Sequence, residues 1–303
     1  MFIRQMSYLV ALAREKHFAR AAEACHVSQP TLSAAIQHLE KELGVSIVER
    51  GQRFEAFTAE GERVLAWAQR LLADWDGLRQ AVRGMRSAPS GELRCGVIPT
   101  QLPVASLLTG PFREQYPNVV PVILSLPSSE IVRGLQNFEL DFGVTYLDTP
   151  DRQQMVELPL SRERYVLIQR DDEARGNPAT MTWADAARLP LCALTKNMTN
   201  RRIVDAAFAE HGATPHIAME TDSILALYSH VCFGGMASVV PRSLLMLSPP
   251  NVTAIDLDPP LYKQVGLLHL RRDPGPPLVE LFTAFARDFG VEARIDELIR
   301  RTY

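Results

Sequence analysis

The side chains with the clearest chemical use lie on one face of a helix predicted to follow Ser28. Apolar residues recur there at steps of four, three and four, which places them in one stripe: Leu32, Ile36, Leu39 and Leu43. The opposite face is small and polar. It carries Gln37, and the amides of Gln37 and of Gln29 in the first turn can pair with base edges, most naturally adenine. A helix with such a polar face near its N-terminus can enter the DNA major groove.

A shorter helix must hold this one in place. The Ala-rich stretch FARAAEAC, which begins at Phe18, favours a helix, and HVS interrupts it. Ser28 is a good N-cap, Pro30 is tolerated in the first turn, and Gly44 can end the helix. The pattern predicts a helix-turn-helix, although an ordinary helical hairpin fits the spacing equally well. The predicted DNA-facing residues are Ser28, Gln29, Pro30, Thr31, Ser33 and Gln37.

The next segment, VSIVERGQRFEAFT, predicts a short two-stranded wing with its turn at Gly51, Gln52 and Arg53. Arg53 at the tip of a wing is well placed to contact the minor groove or a phosphate. The alternative is an arginine that is simply exposed to solvent.

A long helix is predicted from Thr58, where TAEGE provides a capping pattern, to about Arg86. Its apolar residues follow an unbroken heptad seam: Val64, Ala68, Leu71, Trp75, Leu78, Val82 and Met85. Because an exposed helix would leave this seam in water, we expect an antiparallel pairing with another subunit. Docking on the second domain of the same chain is the alternative.

Beyond the hinge SAPSG at residues 87–91, buried strands alternate with helices, which predicts a parallel sheet with crossovers. In such folds ligands bind beyond the carboxyl ends of strands, next to helix N-termini. The candidate residues at these positions are Thr100, Gln101, Ser128, Asn197, Thr199, Arg201 and Thr221. Each could instead be a helix cap. Hydroxyls and amides beside Arg201 or Arg202 suit a small carboxylate or similar anion, although either arginine could face water.

The sequence resembles the LysR-type transcriptional regulators. The likeness is carried by YLVALA, HFARAAEACHVSQPTLS, LEKELGVSIVER and FTAEGE, and less specifically by GVIPT, LDFGVTYL and the ET…GG…SVVP run. The chain departs from the family pattern at Ala34, where an Arg or Gln is frequent, and so lacks a long polar side chain for base contact at that position. It also has Met236 where a second glycine is frequent.

The resemblance implies three parts. These are a winged helix-turn-helix DNA-binding domain at 1–58, a dimerisation helix at 59–88, and a two-lobed α/β effector domain at 92–303 that is similar to periplasmic binding proteins. Lobe I would span about 92–161 and 269–303, and lobe II about 162–268. The implied partners are a double-stranded DNA operator, further copies in a homodimer or homotetramer, a small-molecule inducer and RNA polymerase. The implied inducer contacts are Thr100, Gln101, Ser128, Thr199 and Thr221.

The combination of NMTNRRI and ELDFGVTYL is similar to a LysR subgroup associated with formate-dehydrogenase genes, which would make the effector a very small acid. Some members of the family sense peroxide through two cysteines. The loop TKNMTNRR, where the first would be expected, has none, and Cys25, Cys95, Cys192 and Cys232 have the spacing of neither a zinc site nor a CxxC pair. We therefore expect buried thiols rather than a redox centre.

The sequence lacks the patterns of membrane proteins, secreted proteins and the common enzyme classes. There is no apolar run of about 18 residues and no signal-peptide pattern, so we expect a cytoplasmic protein without a membrane segment. No GxSxG, HExxH or phosphate loop is present, and the histidines have no metal-ligand spacing, so we expect neither an enzyme nor a cofactor. Two alternatives stay open: an effector-independent DNA-binding protein, and a solute-binding α/β protein with a helical oligomerisation arm.

Overall fold

The structure, a computed structural model, describes residues 3–50, 54–84, 88–147, 154–171 and 178–302. The chain divides into two compact units, residues 1–87 and 88–303. No helix in the described ranges is long and apolar enough to cross a membrane.

Unit 1 is a winged helix-turn-helix, as predicted. Its elements are α1 (Ile3–Glu15), α2 (Phe18–Ala24), α3 (Gln29–Leu43), β1 (Val48–Arg50), β2 (Phe54–Phe57) and α4 (Ala59–Gly84). The predicted stripe of α3 is buried except at its end, where Leu43 is exposed. The stripe packs against α1 and α2 in one core with Leu9, Leu12 and Ala21. The antiparallel pair β1–β2 forms the wing, but its turn, including Arg53, lies outside the described residues.

Helix α4 requires a correction to the predicted seam. Ala68 is fully buried in the core of its own unit, and Val64 packs against the same core. Ala68 therefore cannot contact a second subunit, and Val64 is partly covered by its own unit. The large apolar side chains that α4 exposes form a stripe that begins at Trp67 and then keeps four residues of the predicted seam: Leu71, Trp75, Leu78 and Val82. Met85, the last residue of the predicted seam, lies outside the described residues.

Unit 2 is a two-lobed α/β structure. Its strands are β3 (Gly91–Val97), β4 (Val119–Ser125), β5 (Phe142–Tyr146), β6 (Met155–Arg170), β7 (Thr180–Thr182), β8 (Leu191–Leu194), β9 (Ile217–Thr221), β10 (Ser238–Pro241), β11 (Val252–Asp258) and β12 (Tyr262–Leu270). Its helices are α5 (Leu102–Gln115), α6 (Ser128–Gln136), α7 (Trp183–Ala186), α8 (Thr199–Glu210), α9 (Ile224–Phe233), α10 (Pro277–Asp288) and α11 (Val291–Thr302). Short 3-10 turns lie at Pro99–Gln101 and Arg242–Leu247.

The long strand β6 belongs to both lobes. Its first part pairs with β12 in the order β4-β3-β5-β12-β6, which we call lobe I. Its second part, from Tyr165, pairs with β10 and β11 in lobe II, which also holds β7 and the separate pair β8–β9. The prediction of a parallel sheet is correct for β3, β4 and β5. It is wrong for β12, which runs antiparallel to β5 and β6. The chain leaves lobe I along β6 and returns to it along β12, so these two neighbouring strands run in opposite directions.

Candidate functional site

The predicted DNA-facing surface of α3 is open in unit 1. Gln29, Pro30 and Gln37 are exposed, and Ser33 is partly exposed. Ser28 caps the helix by accepting a hydrogen bond from the Thr31 backbone N–H at 3.3 Å, and its hydroxyl lies 2.8 Å from that of Thr31. These two hydroxyls therefore fix the start of the helix, while the two glutamine amides stay available to bases.

Two buried polar residues that sequence reasoning missed hold α3 and the wing. Gln5 of α1 places its Nε2 3.0 Å from His38 Nδ1 and 3.5 Å from the Ala35 carbonyl oxygen. Glu40 accepts the backbone N–H groups of Ile47 and Val48 at 2.8 and 3.2 Å. A polar residue beside an apolar stripe is the sequence signal for such a role, but its partners are not evident from spacing.

In unit 2, a pocket lies between the lobes, which we call the interlobe cleft. It holds about 220 Å³ of space, part of it open to solvent. Lobe I contributes the ends of β3, β4 and β5, and lobe II contributes the start of α8. The lining residues are Ile98, Pro99, Thr100, Pro127, Ser128, Tyr146, Met198, Thr199 and Asn200. Three predicted effector contacts, Thr100, Ser128 and Thr199, therefore come together.

A hydrogen-bonded network forms the floor of this cleft. The hydroxyls of Tyr146 and Tyr165 lie 3.0 Å apart, and Asn200 Nδ2 donates to them at 3.3 and 3.2 Å. Thr100 Oγ1 lies 3.4 Å from the Tyr146 hydroxyl. Burial is the main cause that raises the pKa of both tyrosines, so both remain neutral donors. Sequence reasoning missed Tyr146, Tyr165 and Asn200, which meet only because β6 crosses between the lobes.

The two adjacent arginines of α8 have opposite surroundings. Arg201 is buried and donates to Asp205 at 2.8 and 2.9 Å, to Glu220 at 2.7 Å and to a backbone carbonyl. Its charge is already compensated, so the geometry does not support the prediction that Arg201 holds an anion. Arg202 is exposed, and its Nη2 donates to Thr199 Oγ1 at 2.8 Å. A cation is thereby held beside a residue that lines the cleft.

The remaining predicted contacts do not line the cleft. Asn197 accepts a hydrogen bond from the Thr195 hydroxyl at 2.7 Å and is exposed. Thr221 accepts the Ser223 backbone N–H at 3.1 Å, but the N-cap of α9 is Ser223, which accepts from Ala226 N–H. Gln101 is completely buried behind Thr100, beside the carboxyl of Glu163.

Comparison with known proteins identifies the two units. The profile described as "Bacterial regulatory helix-turn-helix protein, lysR family" matches residues 3–62, and "LysR substrate binding domain" matches residues 86–290. The chain belongs to the LysR family. It is a DNA-binding transcriptional regulator with an effector-binding domain, and the relatives that it matches are regulators, not enzymes.

Similar proteins include several regulators named for hydrogen peroxide. The transcriptional dual regulator OxyR of Escherichia coli K12 is 29% identical over 303 residues, covering 98% of this chain and 96% of that protein. EstR of Acinetobacter baylyi is 34% identical over 190 residues, covering 62% and 63%. A full-length OxyR variant from Pseudomonas aeruginosa superposes with a TM-score of 0.74 at 26% identity, covering 95% and 98%. CbnR, solved with its target DNA, has the same fold, with a TM-score of 0.65, 23% identity and full coverage of both chains.

The cysteines of this LysR-family regulator lack the surroundings of a reactive thiol. Cys95, Cys192 and Cys232 are buried, and Cys25 is partly buried. Burial is the main cause that raises the pKa of each thiol. Because the thiolate is the form that reacts with peroxide, burial makes the three buried thiols unsuited to that reaction.

Proposed function

We propose that a small carboxylate or similar anion, bound in the interlobe cleft, controls operator binding by this LysR-family regulator. The observation that carries the proposal is a group of hydroxyls that line one small space, those of Thr100, Ser128 and Thr199, with the exposed Arg202 guanidinium donating to Thr199. Charge-assisted hydrogen bonds from such groups favour an anion over a neutral ligand. The cleft volume favours a small acid, formate among them.

The effector is tested by thermal shift of the full-length protein against a panel of small carboxylates that includes formate. A ligand that binds only the folded state raises the melting temperature (Tm). Loss of a charge-assisted hydrogen bond weakens binding by about tenfold or more, so Arg202→Gln should reduce the shift strongly. Arg188→Gln, which removes an exposed arginine elsewhere in the same lobe, is the matched control.

The thermal-shift panel also separates the alternative functions. If no acid shifts the Tm, the effector proposal fails and an effector-independent regulator becomes the better reading. If an acid binds equally well to the Arg202 variant, the cleft does not use this cation. Peroxide sensing, suggested by the names of several relatives, would instead require a thiol that peroxide oxidises in the folded protein.

We further propose that α3 reads bases through Gln29 and Gln37 in an assembly of at least two copies joined through the exposed stripe of α4. A bidentate amide–adenine pair is worth about 1–3 kcal/mol of discrimination. Replacing either glutamine with alanine should therefore relax sequence preference at one operator position in selection from random DNA. Uniform weakening at all positions would contradict a base-reading role.

A further inference from the structure

A buried carboxyl group lies where β6 passes from lobe I to lobe II. Glu163 is only 4% exposed. Its Oε2 accepts a hydrogen bond at 2.9 Å from Ser243, in the 3-10 turn that follows β10. Its Oε1 accepts a weaker one at 3.4 Å from Ser161 on the same strand. Glu163 is thus already tied to a turn that follows a lobe II strand.

Gln101 approaches the same carboxyl from lobe I. It is fully buried at the end of the turn Pro99–Gln101, next to Thr100 of the cleft. Neither polar atom of its amide has a hydrogen-bond partner among the described residues. The amide is nevertheless close enough to Glu163 to lower its pKa, against the larger effect of burial, which raises it. The two side chains are neighbours without a well-formed hydrogen bond.

A buried amide without a partner is unfavourable, and a small movement of its turn would relieve the cost. Thr100 lies in the same turn and lines the cleft. A ligand that binds Thr100 therefore acts directly on the segment that carries Gln101. The ligand needs only to favour the arrangement in which Gln101 is paired, since a ligand shifts an equilibrium by its differential affinity for the two states.

We propose that Gln101 and Glu163 couple occupancy of the interlobe cleft to the arrangement of the two lobes. When the cleft is filled, Gln101 donates to Glu163 while Ser243 remains bound to it. One carboxyl then connects the turn after β3 with the turn after β10. This coupling rests on the proposed function, because it takes the cleft as the effector site.

The first experiment needs no ligand. In full-length protein without added acid, Gln101→Met removes an unpaired amide and keeps the side-chain length, so the Tm should rise by several degrees. Gln136→Met, at an exposed position of α6, is the matched control and should leave the Tm unchanged. An unchanged or lower Tm for the Gln101 variant would show that its amide is already satisfied, which overturns the proposal.

The second experiment uses an acid that shifts the Tm of the wild-type protein. The Gln101 variant should bind that acid with a Kd within about threefold of wild type, yet its footprint on upstream DNA should no longer change when the acid is added. A wild-type footprint response overturns the coupling. So does a loss of affinity beyond about tenfold, which would make Gln101 a direct ligand contact. If no acid binds wild type, the proposed function fails by itself, and the melting comparison still decides whether Gln101 is unpaired.

Discussion

Replacing Glu40 tests how unit 1 holds its wing against α3. The side chain lies in the last turn of α3 and is 8% exposed. One oxygen accepts two consecutive backbone N–H groups, those of Ile47 and Val48. Ile47 belongs to the core, and Val48 begins β1. The carboxylate therefore holds the entry to the wing against α3.

Glu40→Ala leaves both N–H groups buried without an acceptor. Each such group costs about 1–3 kcal/mol, so the free energy of unfolding should fall by about 2–6 kcal/mol. Glu40→Gln keeps an acceptor oxygen of the same reach and should lose only about 1 kcal/mol. We therefore expect a difference of about 1–5 kcal/mol between the two variants.

The difference is measured by urea denaturation of the full-length protein, followed through tryptophan fluorescence. Trp67 and Trp75 of α4 report on unit 1, and the buried Trp183 reports on unit 2. Operator affinity is measured at a temperature where both variants are folded, and the alanine variant should bind more weakly. Equal stability of the two variants, within about 0.5 kcal/mol, would refute the assignment of Glu40 as the acceptor that holds the wing.

Four further outcomes are expected. Gly61→Ala should destabilise unit 1 by more than about 2 kcal/mol in thermal denaturation, because its Cβ would overlap the Ile47 carbonyl, whereas Gly77→Ala has open space and should be neutral or stabilising. Leu78→Glu should dissociate the assembly in sedimentation velocity without lowering the subunit's helix content by circular dichroism. Arg201→Met should lower the Tm but leave the Kd for acids nearly unchanged, since its partners are internal. The four thiols should resist iodoacetamide at pH 7 until the protein unfolds, because burial raises their pKa.

Local patterns predicted the elements that depend on local physics. The cap at Ser28 and the apolar stripe of α3 are visible in sequence because capping and helical periodicity act within a few residues. The heptad pattern of α4 identified an apolar helix but could not show that α1 covers its first turns. For that reason the pattern predicts that Ala68 contacts a second subunit, although it belongs to the core of unit 1.

The candidate cleft depended on contacts between distant parts of the chain. Arg201 and Arg202 are adjacent in the sequence, where Asp205, four residues after Arg201, already offers one partner on the same helix. The second partner, Glu220, lies 19 residues later and is found only in the fold. Tyr146 and Tyr165 meet because their strands, β5 and β6, lie on either side of β12, which is more than 90 residues later in the chain. Thr100 and Thr199 were predicted because ligands in such folds bind beyond the carboxyl ends of strands, and both residues line the cleft. The same reasoning could not identify the tyrosines behind them.

Strand β6 has a mechanical consequence for how the lobes can move. It is 16 residues long, or roughly 50 Å, and it passes between the lobes with no intervening loop. Its register with β12 continues to Arg164, and its register with β10 begins at Tyr165. The ladder with β12 shifts its register between Val265 and Gly266, beside Leu160, and β6 changes its partner at Tyr165. Both interruptions lie in the short segment that joins the lobes. We therefore expect lobe I and lobe II to rotate against each other by torsion of β6 between Leu160 and Tyr165, while the ladders on either side keep their backbone hydrogen bonds.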